Sequence, residues 1–140
     1  MIEERSAGVV LFSKAEGIQF LILKYPSGHW DFVKGNIEEG EDEEETVKRE
    51  LFEETGINSL QIQQGFNEKE EYNYYKKNSK VHKIVSYYLA ETNQKEVKLS
   101  FEHLDYKWSN YEDVMKLITF ENSKEVLKKG NEVIKNLTKN

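Results

Sequence analysis

The chain has no cysteine, one proline, eight glycines and no long apolar run. Without cysteine it carries no disulfide, no thiolate zinc site and no cysteine nucleophile. A single proline excludes a proline-rich linker, and so few glycines exclude a collagen-like repeat. No apolar stretch approaches the ~20 residues of a membrane-spanning helix, and mean hydropathy is −0.79. The opening Met-Ile-Glu-Glu-Arg puts acids where a secretory leader carries bases. A cytoplasmic chain with no membrane partner is therefore expected.

What is present is sufficient for one folded domain over residues 1–140. Aromatics make up 12% of the residues, which argues against disorder. The net charge of −6 is unevenly placed: residues 38–54 hold ten acids against Lys48 and Arg49, and the remainder of the chain sums to +2. A strongly solvated helix or a cation site would each explain such a segment, whereas a general DNA-binding surface would not.

Apolar runs at Ser6–Ser13 and Ile18–Tyr25, separated by Ala15-Glu16-Gly17, predict a β-hairpin covered on both faces. Pro26-Ser27-Gly28 ends the second strand, and Trp30–Val33 forms a short third piece. Asn36–Glu41 reads as a loop. Asp42–Thr55 reads as a helix, with Asp42 and Glu45 in capping-box spacing and Gly56 as terminator. Strands are expected at Leu60–Phe66, Val81–Leu89 and Asp105–Ser109, with the polar, tyrosine-rich Asn67–Ser79 between the first two. Helical spacing over Tyr111–Ile118 and Ser123–Leu137 closes the chain. Strands interrupted and followed by helices indicate a mixed α/β sandwich.

On the acidic helix, at about 100° per residue, Glu53 and Glu54 fall within about 60° of Glu50. Three carboxylates on one face repel one another. Arg49 reaches Glu53 at i+4 but cannot satisfy all three. Hard cations such as Mg²⁺ or Mn²⁺ take oxygen ligands of this kind together with substrate phosphates. A solvated glutamate-rich helix remains the plainer alternative at this point.

The spacing goes further. Gly35, Glu41, Arg49-Glu50-Leu51, Glu53-Glu54 and Gly56-Ile57 match all nine constrained positions of the 23-residue Nudix box. Chance agreement is on the order of 10⁻⁶ once average residue usage is corrected upward for this glutamate-rich chain. The chain thus resembles the Nudix hydrolases, which implies an α/β/α sandwich with a mixed sheet and pyrophosphate chemistry. By position, the resemblance implies that Glu50, Glu53 and Glu54 form the metal-binding and base group, with Glu54 the leading base. It also implies that Glu41 supports the cluster, that Arg49 orients its carboxylates and that Gly35 permits a close backbone approach.

The flanks resemble the asymmetric diadenosine tetraphosphate hydrolases within that family. Trp30-Asp31-Phe32-Val33-Lys34-Gly35 is similar to their approach to the box, with Val33 where proline is usual. Gly65-Phe66, Val85–Glu91, Leu99-Ser100-Phe101-Glu102-His103, Tyr106, Trp108 and the spacing of Phe120, Lys124, Leu127 and Gly130 extend the likeness from Gly8 to Leu137. This implies release of ATP and AMP by attack of water, with Mg²⁺ offsetting about four negative charges on the substrate bridge.

Lys34 and Lys83 are then the expected phosphate cations, His29 a further phosphate contact, and Glu102 an additional metal ligand or base. His103 and His82 are expected to be structural or incidental. Tyr72, Tyr74, Tyr75, Tyr87 and Tyr88 offer stacking surfaces for adenine, and the subfamily likeness favours Tyr74 and Tyr88. Period-2 alternation puts Tyr87 and Tyr88 on opposite faces of one strand.

Other Nudix substrates use the same metal site: nucleoside triphosphates, nucleotide sugars or RNA 5′ ends. A nucleotide-sensing domain without turnover is the alternative of a different class, and the complete set of box carboxylates argues against it.

Overall fold

The computed structural model describes residues 2–137. Eight strands and three helices follow in order: β1 (Ile2–Ser13), β2 (Gln19–Lys24), β3 (Trp30–Asp31), β4 (Val33–Asn36), α1 (Glu43–Thr55), β5 (Gln61–Ile62), β6 (Glu68–Lys76), β7 (Ser79–Glu91), β8 (Asp105–Ser109), α2 (Tyr111–Leu117) and α3 (Glu121–Leu137). One mixed sheet runs β3-β2-β1-β7-β5, with β4 also on β1, β6 on β7 and β8 on β2.

The sheet is organised around the long parallel pair of β1 and β7, in register from Ile2↔Val81 to Phe12↔Glu91. Their apolar residues alternate between the two faces. Val10, Phe12, Phe20, Val85, Tyr87 and Leu89 pack with Val114, Val126, Leu127 and Ile134 on the side of α2 and α3. Ala7, Val9, Leu11, Leu21, Leu23 and Ala90 pack with Val47 and Leu51 of α1 on the other. Burial on both sides explains why these strands read as continuous hydrophobic runs. The layers are α/β/α, and the expected β1–β2 hairpin forms through Phe12↔Phe20.

One sequence expectation needs correction. The polar, tyrosine-rich stretch Asn67–Ser79, assigned no element from the sequence, is mostly β6, paired antiparallel with β7 from Glu68↔Tyr87 to Lys76↔Ser79. Its two-residue turn is Lys77-Asn78, with φ of 50° and 67°, the geometry of a hairpin turn that follows strand twist. The strand is polar because its exposed residues outnumber its buried ones. Conversely, only Gln61–Ile62 of Leu60–Phe66 pairs as strand, as β5.

Candidate active site

Helix α1 begins with the capping box that its sequence announces. Asp42 accepts the Glu45 N–H at 2.8 Å, and Glu45 accepts the Asp42 N–H at 3.0 Å. Gly56 closes the helix at φ 76°, the left-handed conformation that glycine adopts without a Cβ penalty. Glu43, Glu44 and Glu45 suit the positive end of the helix dipole, but Glu53 and Glu54 lie in the last turn, where no basic residue offsets them.

Arg49 organises most of this charge. Its Nε and Nη2 donate to the two oxygens of Glu41 at 2.6 and 3.0 Å, Nη1 donates to Glu50 Oε1 at 2.7 Å, and Nη2 also reaches the Asn36 carbonyl at 3.0 Å. Glu53 is a looser partner at 3.3 Å, and Glu38 lies 3.2 Å from Nε. The Arg49 guanidinium holds the Glu41 carboxyl down at about 2, aided by the Glu38 backbone N–H. Arg49 therefore fixes Glu41 and Glu50 but makes no contact with Glu54.

Gly35, on β4, explains how Glu50 fits. A Cβ at this position would lie 2.1 Å from Glu50 Cδ and 2.3 Å from Oε1. The carboxyl of Glu50 thus occupies the space that a side chain at 35 would fill.

Glu54 is 6% exposed, and neither of its oxygens has a hydrogen-bond donor among the described residues. Burial, then the close approach of Glu50, then the charges of Glu102 and Glu53, drive its pKa far upward. His103 Nε2 lies 2.6 Å from Glu54 Oε1 without hydrogen-bond alignment. Burial lowers the His103 pKa despite the opposing charges of Glu102 and Glu50. Burial thus pushes both groups towards neutrality.

An open cleft of about 410 Å³ is lined by Tyr25, Pro26, Lys34, Glu50, Glu54, Glu102 and His103. Beside it lies a hollow of about 450 Å³ lined by Lys34, Glu70, Tyr72, Phe120 and Asn122. Lys34 borders both. Burial disfavours its charge, but the buried carboxylate of Asp31, 3.1 Å from Nζ, outweighs this and leaves its pKa raised. His29 ties the two walls together: its ring stacks on Tyr25 at 4.7 Å and meets Phe120 at 5.1 Å.

The fold therefore gathers Lys34, Glu50, Glu54 and Glu102 into one cleft, with His29 packed behind its wall. Glu53 stands at the solvent side. Lys83 is 3.9 Å from Glu4, and burial followed by the charge of Lys34 lowers its pKa. Tyr74 donates to Glu4 and tilts against Tyr72, with ring centres 6.2 Å apart. Tyr88 is set apart. Strand alternation sends it to the α1 face, where its hydroxyl donates to Glu43 at 2.6 Å and its ring lines a separate hollow with Glu44, Ile62 and Gly65. Tyr87, on the opposite face, is core.

Sequence reasoning passed over His103, Tyr25 and Glu70 as site residues and ranked Tyr74 above Tyr72. The only signal for His103 was its place next to Glu102. Among the described residues no three acidic or histidine side chains form a ready-made cation cage. The donor set nonetheless fits a hard divalent cation: three carboxyls share the cleft, and the two buried Glu54 oxygens have no donor.

A capped acidic helix laid against a mixed sheet, with a half-buried lysine at the edge of its carboxylate cleft, defines a phosphoanhydride hydrolase of the α/β/α class. The chain belongs to the Nudix family, whose NUDIX domain model matches residues 3–129, and members of that family typically use a divalent metal. It is 34% identical over 143 aligned positions to the asymmetrical bis(5′-nucleosyl)-tetraphosphatase of Rattus norvegicus, covering 93% of this chain and 95% of that protein. It is 36% identical over 129 positions to the corresponding Caenorhabditis elegans protein, covering 89% and 92%. A crystal structure of a C. elegans Ap4A hydrolase binary complex superposes with a TM-score of 0.83 at 34% identity, covering 95% of this chain and 98% of that one.

Proposed function

We propose that the chain is an asymmetrical diadenosine tetraphosphate hydrolase, which adds water across one phosphoanhydride bond to release ATP and AMP. The observation that carries this reading is the position of Lys34, which borders both the carboxyl cleft and the hollow bearing Tyr72 and Phe120. A base held against those rings gains about 1–3 kcal/mol from stacking. Its phosphates then pass Lys34, a compact cation held by Asp31, on their way to Glu50, Glu54 and Glu102. Likeness to asymmetrical tetraphosphatases along almost the whole chain supports this substrate class.

Bound Mg²⁺, or Mn²⁺ in its place, would screen the bridging phosphates and lower the pKa of the attacking water. Glu50, Glu54 and Glu102 would hold it, with Glu53 at the rim. Arg49 keeps Glu50 in position through the 2.7 Å contact. The water oxygen forms the new P–O bond, the bridging oxygen leaves with the other nucleotide, and Glu54 takes the proton. Because burial and then the neighbouring carboxylates disfavour the charged form of Glu54, its action as a base is coupled to neutralisation of the charge around it.

Anion-exchange analysis of products from diadenosine tetraphosphate, with Mg²⁺ and with chelator, tests the proposal alongside Glu54→Gln. The expected result is ATP plus AMP, lost on chelation and in the variant. Two ADP would refute asymmetric cleavage. An inert tetraphosphate beside a cleaved nucleoside triphosphate, nucleotide sugar or RNA 5′ end would move the assignment to that substrate. Binding without hydrolysis would make the chain a nucleotide-sensing module.

A further inference from the structure

The most exposed of the large apolar side chains among the described residues is Phe101, at 96%. The backbone beneath it is tied down. The Ser100 N–H donates to the Glu54 carbonyl at 3.0 Å, the His103 N–H closes the turn onto the Ser100 carbonyl at 3.2 Å, and the Leu104 N–H donates to the Lys24 carbonyl at 2.9 Å. One end of this turn is thus fastened to the last turn of α1 and the other to the end of β2. Phe101 is thus a solvent-exposed phenyl ring on a tethered turn, immediately before Glu102, which lines the carboxyl cleft.

The cleft has two ends of different chemistry. At one, Lys34 opens onto the hollow that bears Tyr72 and Phe120. At the other, Glu102 and His103 form the wall and carry the Phe101 turn. A ligand with one base in the hollow and its phosphates along the carboxyls brings its far end to that turn. In a dinucleoside polyphosphate the far end is a second base, whose flat face suits stacking on a phenyl ring presented by a tethered turn. In a mononucleotide the far end is a phosphate, which gains nothing from a phenyl ring.

We propose that Phe101 is a specificity-determining residue that stacks on the second base of a two-headed nucleotide and so favours dinucleoside polyphosphates over mononucleotides. This rests on the function proposed above. It accounts for a large apolar side chain that the core does not use, at the end of the cleft where the hollow supplies no aromatic wall.

The test compares wild type, Phe101→Ala and Phe101→Trp, none of which disturbs a buried position. Two constants are measured: KM for diadenosine tetraphosphate, and the competitive inhibition constant of adenosine 5′-tetraphosphate, which has as many phosphates but one base. Phe101→Ala should raise KM about fivefold or more, the weaker end of a base–aromatic stack, with kcat held within about twofold. The inhibition constant should stay unchanged, and Phe101→Trp should restore KM. An unchanged KM in Phe101→Ala, or a parallel rise in the inhibition constant, would overturn the assignment while leaving the hydrolase reading intact. A wild-type enzyme that does not cleave the two-headed substrate would overturn the functional reading and this inference with it.

Discussion

Replacing Gly35 with alanine should separate activity from stability. The backbone at 35 lies outside the left-handed region, so alanine meets no conformational penalty there. The obstacle is Glu50: the new Cβ would stand 2.1 Å from Cδ and 2.6 Å from Cγ, against an ordinary carbon–carbon contact of about 3.5–4.0 Å. The carboxyl must swing away by more than about 1 Å, which a flexible side chain can do cheaply. It then loses its 2.7 Å contact with Arg49.

The stability terms nearly cancel. Loss of the partly exposed ion pair costs about 0.2–1 kcal/mol, while alanine lowers the entropy of the unfolded chain and returns about 0.4–1 kcal/mol. Tm should therefore stay within about 3 °C of wild type. Activity should not survive so well, because a displacement of about 1 Å in a positioned group costs about 100-fold in rate. Thermal unfolding and product release, measured on one preparation, give both numbers. Wild-type kcat in Gly35→Ala would refute the argument that this glycine exists to seat Glu50. So would a failure of Gly35→Ala to stabilise the protein by about 0.4–1 kcal/mol in a Glu50→Ala background, where no carboxyl remains to collide with.

Two further outcomes follow from the arginine-centred network. Arg49→Lys cannot reproduce the paired bonds to Glu41 together with those to Glu50 and the Asn36 carbonyl; it should lower stability by about 1–2 kcal/mol by denaturant titration and lower kcat as Glu50 loses its restraint. Glu41 has a depressed pKa of about 2, so its contribution is fully present above the ordinary carboxylate range and is lost as pH falls through that value. Urea midpoints of wild type and Glu41→Gln should therefore differ most at neutral pH and converge as pH falls towards 2; a constant gap would show that the carboxylate charge is not what stabilises the box.

Much of this protein is written locally. The capping box of Asp42 and Glu45, the terminator Gly56 and the grouping of Glu50, Glu53 and Glu54 all follow from spacing along one helix, because helical geometry needs only neighbours three or four residues apart. The apolar runs of β1 and β2 likewise declared strands buried on both faces. The Gly35 position also followed from the box, although its reason, the space taken by Glu50, lies fifteen residues further on.

Other features depended on distant contacts. The polar tyrosine tract became β6 only because β7 supplies its hydrogen-bond partners; two of its inward positions are Glu68 and Glu70, so hydrophobicity did not announce the alternation of its side chains. That register also separates the tyrosines, putting Tyr72 beside Lys34 and Phe120 while Tyr88 turns towards Glu43 on the other face. His103 and Glu54 meet across 49 positions because the Ser100 turn is tied to the end of α1. Local sequence determined which residues carry charge and which helix presents them. Tertiary structure alone decided which of those charges lose water and which rings face the cleft, because both depend on segments that meet only when the chain folds.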